Sequence, residues 1–271
     1  MVKNLLYFIP LGLLFIGCKK DSSPPEPEIL ETDPVLLVKV KRPVNVAFAG
    51  YYAGIPVHYN ETTRKYPLLI GLHGLGQRGE GNRQLDLLAD AGLGRLLALR
   101  KLPPNFVVNG RNFSFIYICP QFGGATPTPE QVLNLIDTIK NKYRIDLSRI
   151  YLTGLSVGGV ITTETASKFP RTFAAIAPLA GVSNMDVIIK CRSMAKARLA
   201  VWAFHNDKDP TIPSFDSKYL VSTINSFAPV IPARLSLFTD QFGHDAWTRA
   251  LDPAFKEEGK NLYEWMLQYS R

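Results

Sequence analysis

At 271 residues, 46% apolar and 20% charged, the chain has the composition of a globular protein with a full core, which excludes a disordered or low-complexity polymer. Its length suits one large domain or two small ones. The net charge of +8 is scattered, without runs of cations interleaved with aromatics, so no nucleic-acid partner is expected.

Met1-Val2-Lys3-Asn4 is a short positive start, followed by an apolar run from Leu5 to Ile16. That run has signal-peptide length and is too short to span a bilayer comfortably. It ends Phe15-Ile16-Gly17-Cys18, which resembles a bacterial lipobox with phenylalanine where leucine is usual. Cleavage before Cys18 would free its thiol and its amine for acylation. Each buried methylene adds about 0.8 kcal/mol, so two or three chains anchor a protein firmly. Lys19-Lys20-Asp21 resembles the opening of lipoproteins from some Gram-negative lineages. The expectation is an exported lipoprotein, membrane-anchored at Cys18 on the periplasmic or cell-surface side. An ordinary signal peptide with an incidental cysteine is the alternative. The division expected is a signal peptide over 1–17, a proline-rich polar tether over 18–34 and one folded domain over 35–271.

Within that domain, Val35–Val40, Val44–Tyr52 and Ile55–Tyr59 read as strands of an antiparallel meander. Tyr66–His73 is continuously apolar, as a buried central parallel strand should be. Leu85–Leu102 has helical spacing and Phe113–Cys119 reads as a strand. Thr128-Pro-Glu-Gln131 is a capping box with proline at the first helical position, opening a helix whose Val132, Leu135, Ile136 and Ile139 share one face. Further strands are expected at Ile150–Leu155, Phe173–Leu179, Leu199–Phe204 and Leu235–Thr239. A last amphipathic helix, capped by Asp252-Pro253, would carry Phe255, Leu262, Trp265 and Met266. The alternation implies a mostly parallel sheet with helices on both faces, and the short gap after Leu179 leaves little room for a lid. An exported compartment permits a disulfide between Cys119 and Cys191, but without paired spacing they read as buried free thiols.

The stretch Gly154-Leu155-Ser156-Val157-Gly158 joins an apolar strand to a helix and fits the Gly-x-Ser-x-Gly nucleophile elbow. A serine in so tight a turn presents its hydroxyl above the sheet, and the glycines let strand and helix approach. The hydroxyl needs a base held in one tautomer by an acid. Elbows of this type have the order nucleophile, acid, base. Of the four histidines, His58, His73, His205 and His244, only the last two follow Ser156. With His205 as base the acid would be Glu164 or Asp186, neither well placed. His244 follows the last strand in Phe242-Gly-His-Asp-Ala-Trp247 and is preferred. The acid then falls on the loop His205-Asn-Asp-Lys-Asp-Pro210, where Asp209 fits better than Asp207 because Pro210 fixes the turn. Asp245, adjacent to the base, reads as loop support. An oxyanion would be held by the N–H of Val157 and one from His73-Gly-Leu-Gly-Gln77, from Leu75 or, alternatively, Gly76. His73 itself reads as a brace. Gly74-x-Gly76-x-x-Gly79 nominally matches a dinucleotide fingerprint but lacks the acidic residue about 20 positions on, so no cofactor is expected. The histidine and cysteine spacings suggest no metal site.

His73-Gly-Leu-Gly, Pro120-Gln121, Arg149-Ile-Tyr-Leu-Thr-Gly-Leu-Ser-Val-Gly-Gly, Phe173-Ala-Ala-Ile-Ala-Pro and Gly243-His-Asp-Ala-Trp together resemble the α/β-hydrolase esterases related to feruloyl esterases, polyhydroxybutyrate depolymerases and the phospholipase/carboxylesterase family. The resemblance runs from about Tyr51 to the C-terminus. It implies an α/β-hydrolase fold without a large lid domain, with Ser156 as nucleophile, Asp209 as acid and His244 as base. It also implies hydrolysis of a small-molecule or polymer-borne ester, such as an acyl or feruloyl ester of a polysaccharide. Two departures stand out. Asn206 replaces the family's usual glycine, and Gln77 stands where many relatives carry an acid. Two other readings remain: a non-catalytic glycan-binding lipoprotein on the same scaffold, and a serine peptidase of the prolyl oligopeptidase type.

Overall fold

The computed structural model describes residues 29–182 and 187–271, so the signal-peptide reading, Cys18, most of the tether and Asp186 lie outside the described residues. Leu36–Val40 (β1) pairs antiparallel with Phe48–Ile55 (β2). The two strands expected from Val44 to Tyr59 are in fact one. Asn45 Oδ1 accepts from the N–H groups of Ala47 and Phe48, which turns the chain before β2, and a 3-10 turn at Tyr59–Glu61 ends the segment. Tyr66–Leu72 (β3) is buried along its whole length, as its unbroken apolar run requires.

The helical spacing after β3 is realised in two pieces, a 3-10 segment Asn82–Asp90 and the helix Gly92–Ala98 (α1). They separate at Gly92, whose φ of +62° no ordinary side chain adopts comfortably. A hairpin not expected from the sequence follows, Phe106–Val108 (β4) and Arg111–Phe113 (β5), turned by Asn109-Gly110 with positive φ at both residues. Ile116–Phe122 (β6) leads to Pro129–Lys142 (α2), where both hydrogen bonds of the capping box form. Ile145–Leu155 (β7) then enters Val157–Lys168 (α3).

Ala175–Leu179 (β8), Val187–Lys196 (α4), Ala200–Lys208 (β9), Ser214–Ser226 (α5) and Arg234–Phe242 (β10) complete the alternation. Two short helices close it, Trp247–Ala250 (α6) and Leu262–Met266 (α7). Asp252 does not cap the last helix. It accepts from Ala254 N in a turn, while Asn261 and Glu264 form the capping box and Phe255 packs on Phe238 outside the helix. Proline at 253 favours that turn, so the helix starts later than its apolar spacing suggests.

The eight-stranded sheet has the order β1-β2-β6-β3-β7-β8-β9-β10, parallel from β6 to β10 with the β1–β2 hairpin antiparallel at one edge. One face packs on α2, α3, α4 and α5 through Ile136, Ile161, Met194 and Ile224, among others. The other packs on α1, α6 and α7 through Leu93, Ala250 and Trp265. α4 packs against α3 and α5, and among the described residues no lid is inserted between β8 and β9. Cys119 in β6 and Cys191 in α4 are free and buried, and burial pushes both thiols up, Cys191 to about 11.

Candidate active site

The loops after β3, β7, β9 and β10 all lie at the carboxyl ends of parallel strands, the edge where such sheets collect their functional side chains. Ser156 sits at the β7–α3 junction with φ 53° and ψ −120°, a region costing an L-residue roughly 1–3 kcal/mol. Close packing holds it there. A Cβ on Gly158 would fall 2.3 Å from Leu72 O, and one on Gly181 would fall 1.9 Å from Ser156 O. Ser156 N–H donates to Leu179 O at 2.9 Å, and its carbonyl accepts from Gly159 and Val160. The elbow is a backbone construction.

From this perch Ser156 Oγ lies 2.9 Å from His244 Nε2, and His244 Nδ1 lies 2.6 Å from Asp209 Oδ2. The three residues named from the sequence come together. Asp209's side chain is fully buried, yet it is well satisfied: Oδ1 accepts from the N–H groups of Thr211 and Ile212 at 2.8 and 3.1 Å. Burial pushes its carboxyl up, but the hydrogen bonds from His244, Thr211 and Ile212 outweigh that and hold it below the usual carboxylate range. With its carboxylate charged, Nδ1 of His244 carries the proton and Nε2 faces the serine as an acceptor. The imidazole is 19% exposed, which leaves it open to substrate and water.

Asp207 is placed elsewhere: it binds Lys218 at 2.7 Å and accepts from Ser214. Asp245 accepts from the N–H and hydroxyl of Thr248, the loop support expected of it. Glu164 pairs with Lys190 at 2.5 Å and His58 with Glu31 at 3.1 Å. Neither belongs to the site.

Leu75 opens the 3-10 turn Leu75–Gln77 and Val157 opens α3, so each supplies an N–H with no carbonyl a turn earlier. The β3 loop passes close to the nucleophile, since a Cβ on Gly74 would lie 3.5 Å from Ser156 Cβ. His73 braces that loop as expected. It stacks on Phe122 at 3.7 Å, its Nδ1–H donates to Gly74 O at 2.6 Å, and its Nε2 accepts from Phe122 N at 3.0 Å. Burial pushes its pKa down to about 4 and keeps it neutral. Gln121, fully buried in β6, staples the following segment by donating to Gln77 O and Gln84 O and accepting from Gly81 N.

Two consecutive residues at the end of β9 have roles other than those the sequence suggests, an alternative base for His205 and a departure from the usual glycine for Asn206. His205 is buried and neutral, its pKa lowered by desolvation. Nδ1 accepts from Ser217 Oγ at 2.7 Å, and its Nε2–H is shared between Ile212 O at 3.0 Å and Asp209 Oδ2 at 3.2 Å. Asn206, also buried, donates to Gly243 O at 2.8 Å, the carbonyl just before the base. One strand end thus steadies Asp209 through His205 and the His244 loop through Asn206. The available signals are position, immediately upstream of Asp209, and asparagine at 206 where the resembled family usually has glycine.

Over residues 125–210 the chain matches the model of the prolyl oligopeptidase family, a stretch of under half the chain that carries Ser156 and Asp209 but stops before His244. It is 29% identical over 157 residues to a bifunctional acetylxylan esterase/xylanase of Neocallimastix patriciarum, covering 54% of this chain and 20% of that protein. It is 31% identical over 118 residues to poly(3-hydroxyalkanoate) depolymerase C of Paucimonas lemoignei, covering 42% of this chain and 28% of that one. The chain therefore spans under a third of the length of these curated relatives. Among solved structures, a thermostable esterase is similar with a TM-score of 0.61 at 23% identity, over 89% of this chain and 64% of that chain. The strand order and this likeness show an α/β-hydrolase fold.

Proposed function

We propose that this chain, an α/β-hydrolase, is a serine carboxylic-ester hydrolase working through an acyl-enzyme. One observation carries the reading: the unbroken contact chain from Ser156 Oγ to His244 Nε2 at 2.9 Å and from His244 Nδ1 to Asp209 at 2.6 Å. His244 takes the hydroxyl proton as Oγ attacks the ester carbonyl, and the N–H groups of Val157 and Leu75 receive the oxyanion. The imidazolium, stabilised by Asp209, protonates the leaving alcohol. Water then repeats the sequence on the acyl-enzyme, releasing the acid and the free serine. An acyl or feruloyl ester of a polysaccharide is the substrate proposed, supported by the similarity to a protein named as an acetylxylan esterase. We also propose, from the apolar run Leu5–Ile16 and the lipobox-like Phe15-Ile16-Gly17-Cys18, that the protein is exported and held to a membrane by lipid on Cys18.

Ser156→Ala should lower p-nitrophenyl acetate hydrolysis by about 10⁴–10⁶-fold. Near-wild-type turnover in that variant would remove the assignment. Labelling by a fluorophosphonate separates an activated serine from a binding module built on the same scaffold. The prolyl oligopeptidase match supports a second reading as a peptidase. Cleavage of a prolyl p-nitroanilide at rates comparable to the ester would favour it.

A further inference from the structure

We infer that the edge of the sheet opposite Ser156 docks on an anionic phospholipid surface, so that the loops carrying Ser156 and His244 face away from the membrane. The orientation rests on the proposed anchoring at Cys18, and the docking surface rests on the fold. Cations scattered along the sequence are gathered at the amino ends of the parallel strands. Arg64 and Lys65 run into β3, Arg144 into β7, Arg171 into β8 and Arg198 into β9, and those four connections contain no carboxylate. Lys142, Lys168 and Lys196 close α2, α3 and α4 beside them, where a cation also offsets the helix dipole. Of the neighbouring carboxylates, Asp137 is taken by Lys140, Asp146 by Arg149 and Glu130 by Lys168. Among the described residues, no carboxylate pairs with Lys65, Lys142, Arg144, Arg171 or Arg198. The edge that carries Ser156 mixes both signs, with Arg83 and Lys208 beside Glu80, Asp207 and Asp245.

The densest part of this surface is a groove of about 510 Å³ between the starts of β3 and β7, lined by Lys65, Lys140, Lys142 and Arg144 with Tyr59 and Tyr143. Arg144 is fixed there: its guanidinium lies over the Tyr59 ring at 3.8 Å and its Nε–H donates to Arg64 O at 3.3 Å. Leu147 stands at the rim and is 57% exposed. Cations around an exposed leucine and two tyrosines suit a lipid headgroup layer, with the charges on the phosphates and the apolar parts towards the acyl boundary. The start of the fold selects lipid over other polyanions. Arg64 also donates to Ile29 O at 3.4 Å, so the first described residue lies against this same edge. Ten residues separate Ile29 from Cys18, a span that covalent geometry limits to about 36 Å. A compact domain of this length is about 45 Å across, so lipid on Cys18 holds the basic edge towards the bilayer and not the far one.

The test needs no lipid on Cys18. Every strand and both apolar layers lie within residues 29–271, so a chain begun at Lys19 keeps the fold. Its binding is measured by cosedimentation with vesicles of phosphatidylcholine, and of phosphatidylcholine mixed with phosphatidylglycerol. Each Lys or Arg near an anionic bilayer raises the partition coefficient about fivefold. Binding should therefore require phosphatidylglycerol, and Lys65→Gln, Lys142→Gln and Arg171→Gln combined should weaken it about a hundredfold. Three exposed cations of the opposite edge serve as the control: Arg83→Gln, Lys208→Gln and Lys218→Gln combined should weaken it by about threefold or less. Equal losses in the two variants, or no preference for anionic vesicles, overturn the inference. Tighter binding to a DNA duplex than to the vesicles overturns the choice of lipid. Orientation is read from an environment-sensitive fluorophore on a new cysteine, since Cys119 and Cys191 are buried. Its emission should shift to the blue on vesicles at Leu147→Cys and stay unchanged at Phe242→Cys. A shift at position 242 overturns the orientation. Failure of the full chain to incorporate labelled palmitate in a bacterial host would remove the anchor and leave the docking surface to the vesicle result.

Discussion

The proposed nucleophile and the proposed base are held by opposite means. Ser156 is fixed by main chain: its N–H and carbonyl are both bonded to backbone, and glycines let β7, α3 and the segment at Gly181 close around it. His244 sits on a loop with an 80% exposed Phe242 just before it, and it is positioned by side chains: Asp209 on Nδ1, Asn206 on the Gly243 carbonyl and Asp245 on Thr248. A strained nucleophile needs a frame that cannot relax. A base that exchanges protons in two half-reactions needs one orientation and one tautomer, which a few hydrogen bonds supply.

The sharpest way to break this arrangement is Asp209→Asn. The amide keeps the shape but loses the charge that keeps the proton on Nδ1, and kcat for ester hydrolysis should drop by about 10⁴. Gly158→Ala attacks the other side. Its new methyl meets the Leu72 carbonyl, which is backbone and cannot step aside, so thermal unfolding should show a loss of roughly 3 kcal/mol or more, with activity falling alongside. Asn206→Ala should separate the two supports. It removes the donor to Gly243 O, and kcat should fall about tenfold while the melting temperature shifts by only a few degrees. A melting temperature that collapses with the rate would mean that the residue supports the fold and not the base.

The last effect concerns pH and touches neither Ser156 nor His244. His73 has its folded pKa pushed down to about 4 from an ordinary 6.5, so the unfolded chain binds its proton first as the pH falls. Its contribution is present above pH 6.5 and is lost progressively towards pH 4, to a total of roughly 3 kcal/mol. His205, shifted in the same direction, adds to the same limb. His73→Asn should flatten the fall of melting temperature between pH 6.5 and 4. An unaltered slope would show that another group carries the acid sensitivity.

This contrast also explains what was legible in the sequence. Backbone constraints leave marks at fixed spacing, so the elbow at 154–158, the buried β3 and the capping box at Thr128 were readable from neighbouring residues. Ser156, His244 and Asp209 could be named because loops at strand ends follow a known order. Most of the supports could not, His73 and Asp245 excepted. His205 and Asn206 act on residues that approach only after β9 and β10 pair, and Gln121 reaches loop carbonyls some 40 positions away. Local competition misled as well: the Asn45 side chain turned a β-rich stretch, and Pro253 made a turn where a helix cap was expected. The hairpin at 106–113 carries its ordinary signature, Asn109-Gly110, between strands of three residues each, too short to show an alternating pattern.

The placement of Cys119 and Cys191 has a practical consequence. Both sulfurs lie inside packed layers on opposite faces of the sheet, and both resist ionisation, so an alkylating reagent reaches neither while the layers stay closed. In a recombinant chain begun after Cys18, the rate of thiol modification becomes a direct gauge of how often each layer opens, with no label added to the molecule.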